Sequence, residues 1–543
     1  MKRSVLVVAV GVCLSTWVLA QETRPPEAGA AAATLDPVQR IAAERAGEAL
    51  EAAVRLGASY RPGMKAEEMA LLIVRPGRWA LLINHPRPPA PFKPAGSVER
   101  RKVVDDEGKE TLPEPWSVAV AGPGAALPFH DFTRAGVPLG GRRTAVVEWN
   151  DTTAPLPSSP GGPPAEAVIS RMARGLWEGF DESLRPEGHL DVQPWAYRVT
   201  PEEIALQAIE QRLLLRTARF SYNEETMGEY RGLLESWIAV RKARREMNPA
   251  AVAIEEQVEL EDGIADFVET APFRASQRGE WPALEAADPF FDRYRNFLTI
   301  RTVIMHYPAG WHPSNPVEAL QHARTIGSGL AYAAWPVARS WHEELLSPRT
   351  PERRRWTEIL GQALHQEAAP TAESGRERLE KAKGEEDYPR ILEVVRDAMA
   401  APPGAGCASG ACEGGRRLTL DLSTRSLTAW EAKLERARWA GGKVEVRGPL
   451  LAEWKGGSLR LGREARLLAA ADPATGRLAS LSISIPSGAA AELSGRSIPL
   501  DLFGKGRQGR GSGSVSWAGV SLVVQDGRLE VSEPGARLTW PSP

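Results

Sequence analysis

The chain has 543 residues, room for about three domains at the usual ~150 residues each, which excludes a single small module. Its 43% hydrophobic and 25% charged residues are those of a folded globular protein, while Gly and Pro together reach about 17%, above the usual ~12%, so many loops are expected. With 67 Lys and Arg against 69 Asp and Glu, the chain lacks the basic excess that neutralises a phosphate backbone, and nucleic acid is not an expected partner.

At the start, Lys2 and Arg3 precede the apolar runs Val5 to Val12 and Leu14 to Leu19, followed by the small residue Ala20. This order predicts a secretory signal peptide over residues 1–20, cleaved after Ala20; an uncleaved anchor is the alternative. The run is shorter than the ~20 residues of a spanning helix, and no later stretch is apolar enough to cross a bilayer. Cys13 lies inside the apolar run rather than after the cleavage site, so no lipid anchor is expected. The wealth of Arg, Ala, Gly and Pro reads as the codon bias of a high-GC bacterium, and the mature protein is expected in the periplasm or outside the cell. In that oxidising setting Cys407 and Cys412 are expected to form a disulfide; the alternatives are two free thiols or a metal site, the latter disfavoured because two thiolates without a nearby His or Cys do not complete a tetrahedron.

Residues 21–60 comprise an Ala-rich spacer and a helix that begins at Asp36-Pro37, with Ile41, Ala42, Ala46, Leu50, Ala53 and Val54 as its apolar stripe. Residues 61–199 switch to short apolar runs, Trp79 to Ile83, Val118 to Val120 and Thr144 to Trp149, punctuated by Pro and Gly, which predicts a β-containing domain with long loops. Its closing linker is placed at Thr152 to Pro164. Residues 200–400 read as helical. Thr200-Pro201-Glu202-Glu203 and Asn315-Pro316-Val317-Glu318 each combine an N-cap, a first-turn Pro and an acid three residues after the cap, and Thr350-Pro351-Glu352 starts another helix. From Asn223 to Asn248, Met227, Tyr230, Leu234, Trp237 and Ile238 fall on one helical face, read as packing core, with Arg and Glu on the other. A Gly-rich linker carrying the Cys pair spans residues 401–416. Residues 417–543 alternate apolar and polar side chains and predict an antiparallel β-domain, with Asp526-Gly527 as a hairpin turn, a helix around Leu427 to Arg438, and the run Gly504 to Ser514 as a hairpin loop. The fold class expected is α+β and multidomain.

Catalytic patterns are sparse. No GxSxG elbow, GxxxxGK[ST] loop or GxGxxG turn is present. His342-Glu343 begins an HExxH spacing, but Leu346 stands at its second ligand position. His306 and His312 flank Pro308-Ala309-Gly310 and form an alternative pair for one metal. Asp288 and Asp292 read as solvated charges.

The order of segments from Thr200 to Trp341 resembles the helical half of exported bacterial gluzincin-type metallopeptidases, in which one helix bears HExxH and a later helix carries a Glu-Gly-x-Ala-x-aromatic ligand motif. By that resemblance Glu210 matches the general base, while Ile209 and Leu213 replace both zinc-binding histidines. Asp262, in Asp262-Gly263-Ile264-Ala265-Asp266-Phe267, falls at the third ligand position, and Gly327-Ser328-Gly329 through Tyr332 to Trp341 fits the final part. Apolar side chains donate nothing to zinc, so the resemblance implies a zincin-like scaffold without its metal and no cofactor. The expectation is non-catalytic binding of an envelope protein or peptide. The alternatives are an active secreted metal-dependent hydrolase that takes zinc through displaced ligands such as His306 and His312, and a structural adaptor acting through the β-domain.

Overall fold

Helix α1, Pro37–Leu56, starts where its cap chemistry dictates: the Asp36 carboxylate accepts from the Gln39 backbone N–H, and the Gln39 side chain accepts from the Asp36 N–H. The computed structural model describes residues 33–149, 165–217, 224–269, 315–400 and 417–539, with short interruptions. The signal segment, the linker at 152–164, Asp288, Asp292, Thr350 to Glu352 and the Cys407–Cys412 stretch lie outside the described residues. The architecture is mixed: an N-terminal sheet, a central helical region and a C-terminal sheet that is antiparallel apart from one pair. No described helix is long and apolar enough to cross a membrane.

The N-terminal sheet contains β1 (Ala70–Arg75), β2 (Trp79–Ile83), β3 (Lys93–Val98), β6 (Trp116–Ala121), β7 (Gly136–Leu139) and β8 (Arg142–Glu148) in the order β3-β6-β2-β1-β8-β7. A two-stranded ribbon, β4 (Val103–Val104) with β5 (Glu110–Thr111), stands apart. Only β1 and β8 run parallel, Leu71 facing Ala145 and Ile73 facing Val147. Alternation divides the strands into two faces. Leu71, Ile73, Leu81, Ile83, Val118 and Val147 face α1 and α2 (Ala165–Ser183), while Leu72, Val74, Leu82, Ala121 and Leu139 join Phe92 on the other face. Helix α2 belongs to the span read from sequence as strands and loops; its Ile169, Met172, Leu176 and Trp177 complete the sheet's core.

In the helical region, α3 (Pro201–Thr217) packs on α4 (Glu224–Met247). The expected capping box is present: Glu203 N–H donates to Thr200 Oγ1 at 3.3 Å and Thr200 N–H to Glu203 Oε2 at 2.6 Å. Helix α5 (Pro249–Val258) runs through a π-turn, Glu259–Gly263, into α6 (Ile264–Glu269). Helix α7 (Pro316–Ala334), capped by Asn315, crosses this junction and also touches α3. The crossing is tight because it pairs glycines: a Cβ on Gly327 would stand 2.4 Å from the Glu259 carbonyl oxygen. Phe267 meets the rings of Tyr332 and Trp341 edge-on, and Trp341 leans on Trp356. The remaining helices are α8 (Trp341–Leu346), α9 (Trp356–Glu367), α10 (Gly375–Glu385) and α11 (Tyr388–Ala400), of which α9 and α10 pack on α4 and α11 on α3.

The C-terminal sheet holds thirteen strands, ten on one continuous path. These are β9 (Arg417–Asp421), β10 (Leu427–Glu431), β11 (Ala437–Ala440), β12 (Lys443–Arg447), β13 (Leu450–Trp454), β14 (Gly457–Leu461), β15 (Arg466–Ala471), β16 (Leu478–Ser484), β20 (Val520–Ser532) and β21 (Gly535–Thr539). The path reads β10-β13-β14-β20-β21-β9-β16-β15-β12-β11. Strands β17 (Ala490–Leu493), β18 (Arg496–Pro499) and β19 (Arg507–Trp517) extend it sideways from β20. Laid flat, ten strands at ~4.8 Å would put the end strands about 43 Å apart. Yet β10 ends at Glu431 and β11 starts at Ala437, a reach of at most about 22 Å, so the sheet must curl. Its inner face carries Leu418, Leu420, Trp454, Leu459, Leu461, Leu467, Leu481, Ile483, Leu522 and Leu538, all buried.

Three sequence expectations fail in this domain. Leu427 to Arg438 is strand, a short 3-10 turn and strand rather than a helix, because Leu427, Ala429 and Trp430 pair with β13. The run 507–517 is strand β19 rather than a loop, paired along β20. Asp526-Gly527 lies inside β20, Gly527 opposite Gly511, and the chain reverses instead between the paired Trp517 and Val520. The domain is held to the rest of the chain at its path ends: Gln321 of α7 donates to the Leu434 and Ala437 carbonyls, Asp191 accepts from Ala432 N–H, Arg134 pairs with Glu431, and Trp195 meets Trp430 edge-on at 4.5 Å.

Candidate functional site

In the middle of α3, Ile209 and Leu213 are fully buried in the hydrophobic core where the resemblance would require imidazoles. Glu210 between them is also fully buried, 0% exposed. Its environment is a charge network contributed by α4, α5, the π-turn that follows α5, and Tyr197 ahead of α3. Arg241 grips Glu210 with two parallel bonds, Nε to Oε1 and Nη2 to Oε2, both 2.8 Å, and Arg244 Nη1 reaches Oε2 at 2.8 Å. Arg241 then spans to Glu259 at 2.6 and 3.1 Å, and Arg244 to Glu255, which accepts from the Tyr197 hydroxyl. The Arg241 guanidinium stacks 4.9 Å from the Trp237 ring centroid. Bidentate guanidinium–carboxylate geometry of this kind is what makes a buried pair tolerable.

The network contains three carboxyls and two guanidinia, so full ionisation leaves one excess negative charge in the interior. Glu259 absorbs that imbalance: burial pushes its carboxyl up to about 8, against the pull of Arg241 and with help from Glu210 and Glu255. Burial also works against the charge on Arg241, but Glu210 and Glu259 outweigh it and hold the guanidinium protonated. Tyr197 is raised by burial and by its contact with Glu255, so it remains a donor.

Asp262 belongs to a second network, at the junction of α2, α6 and α7. Burial raises its carboxyl, opposed by Arg324 and Arg174. Arg174 pairs with Glu178 at 2.6 Å and with Asp266 and Glu269, and Arg324 pairs with Asp266. Thus Glu210 is linked through Arg241 to Glu259, the acid three residues before Asp262. Sequence reasoning missed Glu259, Glu255, Arg241 and Arg244, having assigned the arginines of α4 to its polar face. The signal was there in the spacing: two arginines at i and i+3 followed by two glutamates at i and i+4 on the next helix.

A zinc ion does not fit these residues. Ile209 and Leu213 offer no lone pair, and the oxygens of Glu210 are committed to guanidinia. Among the described residues, no three His, Cys, Asp or Glu side chains are grouped to share a metal ion. His306, His312, Cys407 and Cys412 fall outside the described residues. His342 is half-buried with its ring edge-on to Trp341, and Glu343 is exposed. No protein-family model, no curated protein and no solved structure matches the chain.

Proposed function

We propose that this chain is an exported, non-catalytic binding protein of the bacterial cell envelope, built on a helical scaffold similar to that of the gluzincin-type metallopeptidases. In this reading a guanidinium-bridged core replaces the metal centre. The observation that carries it is the state of Glu210. Fully buried and bonded on both oxygens by three guanidinium N–H groups, it is not placed to take a proton from a substrate or water molecule at the surface, as a general base must. Export is supported by the order of Lys2, Arg3, the apolar run and Ala20. The partner expected is an envelope protein or a peptide.

Metal analysis of the purified mature protein after dialysis, run beside a peptide-cleavage assay on wild type and Glu210→Gln, tests the proposal. The expected result is no stoichiometric zinc and no cleavage that the substitution removes. One equivalent of zinc, lost on replacing His306 or His312, would overturn it in favour of a metal-dependent hydrolase.

A further inference from the structure

A cleft of about 480 Å³ opens on the N-terminal unit, remote in sequence from the Glu210 network. Its walls come from the loop before β1 (Gly63, Lys65, Glu68, Met69), from Pro86, from the β7–β8 hairpin (Gly140 to Arg143) and from Phe180 of α2. The hairpin explains why two arginines arrive together. Leu139 pairs with Arg142 across a two-residue turn whose residues, Gly140 and Gly141, have φ of 55° and 80°, a left-handed pair that glycine takes without strain. The turn is fixed from behind by His85, which is buried: its Nε2–H donates to the Leu139 carbonyl at 2.8 Å while Nδ1 accepts from Arg87 N–H.

The charges in this cleft are unbalanced. Lys65, Arg142 and Arg143 face one acid, Glu68, and Glu68 is already engaged by Lys65 at 2.9 Å, with both side chains at the exposed mouth. Arg142 has no carboxylate partner among the described residues; it donates to the Glu67 carbonyl, and its Nε is buried without a hydrogen-bond partner. Arg143 likewise has no carboxylate partner among the described residues and lies over the Phe180 ring, 5.2 Å from the centroid. A guanidinium has five donors, and two adjacent ones that satisfy so few of them are matched by an oxyanion with several acceptor oxygens. The volume falls within the roughly 300–1,000 Å³ of small-molecule sites, larger than a simple ion needs.

We infer that this cleft binds a small organic dianion, a phosphate ester or a dicarboxylate, through Arg142 and Arg143, with Lys65 at the mouth. The inference is independent of the reading of the helical region. Calorimetric titration of the full mature chain, near neutral pH in low-salt buffer free of phosphate, with phenyl phosphate, succinate and benzyl alcohol as probes, tests it. Saturable binding of phenyl phosphate or succinate is expected and none of benzyl alcohol; which dianion binds more tightly identifies the source of the charge. Arg142→Gln and Arg143→Gln should each weaken binding about tenfold or more, and Lys65→Gln about threefold, the scale of a charge-assisted contact against a screened one. Arg143 and Lys65 are exposed, so their variants keep the test valid even where Arg142→Gln disturbs folding. No saturable binding of either dianion up to about 10 mM, or unchanged affinity in Arg143→Gln and Lys65→Gln, would overturn the inference.

Discussion

Replacing Glu259 with Gln should change how the stability of this protein depends on pH. In the folded chain the Glu259 carboxyl is pushed up to about 8, whereas in the unfolded chain it returns to the ordinary 4.5. Between those values the native state holds a proton that the unfolded state has released. The contribution is therefore fully present below about pH 4.5 and is lost as pH rises through about 8, with a slope of about 1.4 kcal/mol per pH unit. Over the whole window the upper limit is on the order of 5 kcal/mol. Gln keeps the size and an acceptor oxygen for Arg241 but cannot titrate, so its stability relative to wild type should improve steadily from pH 5 to 8. Urea unfolding of both proteins at closely spaced pH values measures this, since the difference at each pH cancels the titrating groups outside the network of Glu259. Parallel stability curves across that range would refute the assignment of the excess proton to Glu259.

Arg241→Met should cost about 3–5 kcal/mol, because it strips Glu259 of the only guanidinium bonded to it among the described residues and Glu210 of its bidentate partner; Arg241→Met combined with Glu259→Leu should recover at least about 1 kcal/mol of that in the same unfolding assay. Gly327→Ala would drive a Cβ against the Glu259 backbone and should destabilise by about 1–3 kcal/mol, whereas Gly228→Ala, with open space around it in α4, should be neutral or stabilising in a thermal melt. For Glu178, burial works to raise the carboxyl, but Arg174 and Lys433 outweigh it and hold it down to about 2. Its contribution is present above about pH 4.5 and lost as pH falls through about 2, on the order of 3 kcal/mol, so Glu178→Gln should flatten the acid limb of the stability curve.

Local chemistry was legible in the sequence wherever it acts within a turn or two. The caps at Asp36, Thr200 and Asn315 start their helices where the side chains demand, the apolar run Trp79 to Ile83 announces a strand buried on both faces, and the alternation around Leu418 and Leu420 fixes which side chains of β9 face inward. What the sequence could not decide is pairing between distant segments. Leu427, Trp430 and Leu434 have helical spacing, yet β13, more than twenty residues on, supplies the hydrogen bonds that make residues 427–431 a strand. Asp526-Gly527 has turn chemistry, but β19 and β21 pair on either side of it and keep the chain extended. Arg241 and Arg244 look like the solvated side of an amphipathic helix, and only the packing of α3 and α5 against α4 converts that side into a buried network. The same limit governs the cleft, since the double glycine announces a turn while the carbonyl, ring and ammonium gathered around Arg142 and Arg143 come from segments some 40 to 80 residues away. A charge is tolerated in a protein interior only when a partner meets it there, and the tertiary fold alone brings that partner.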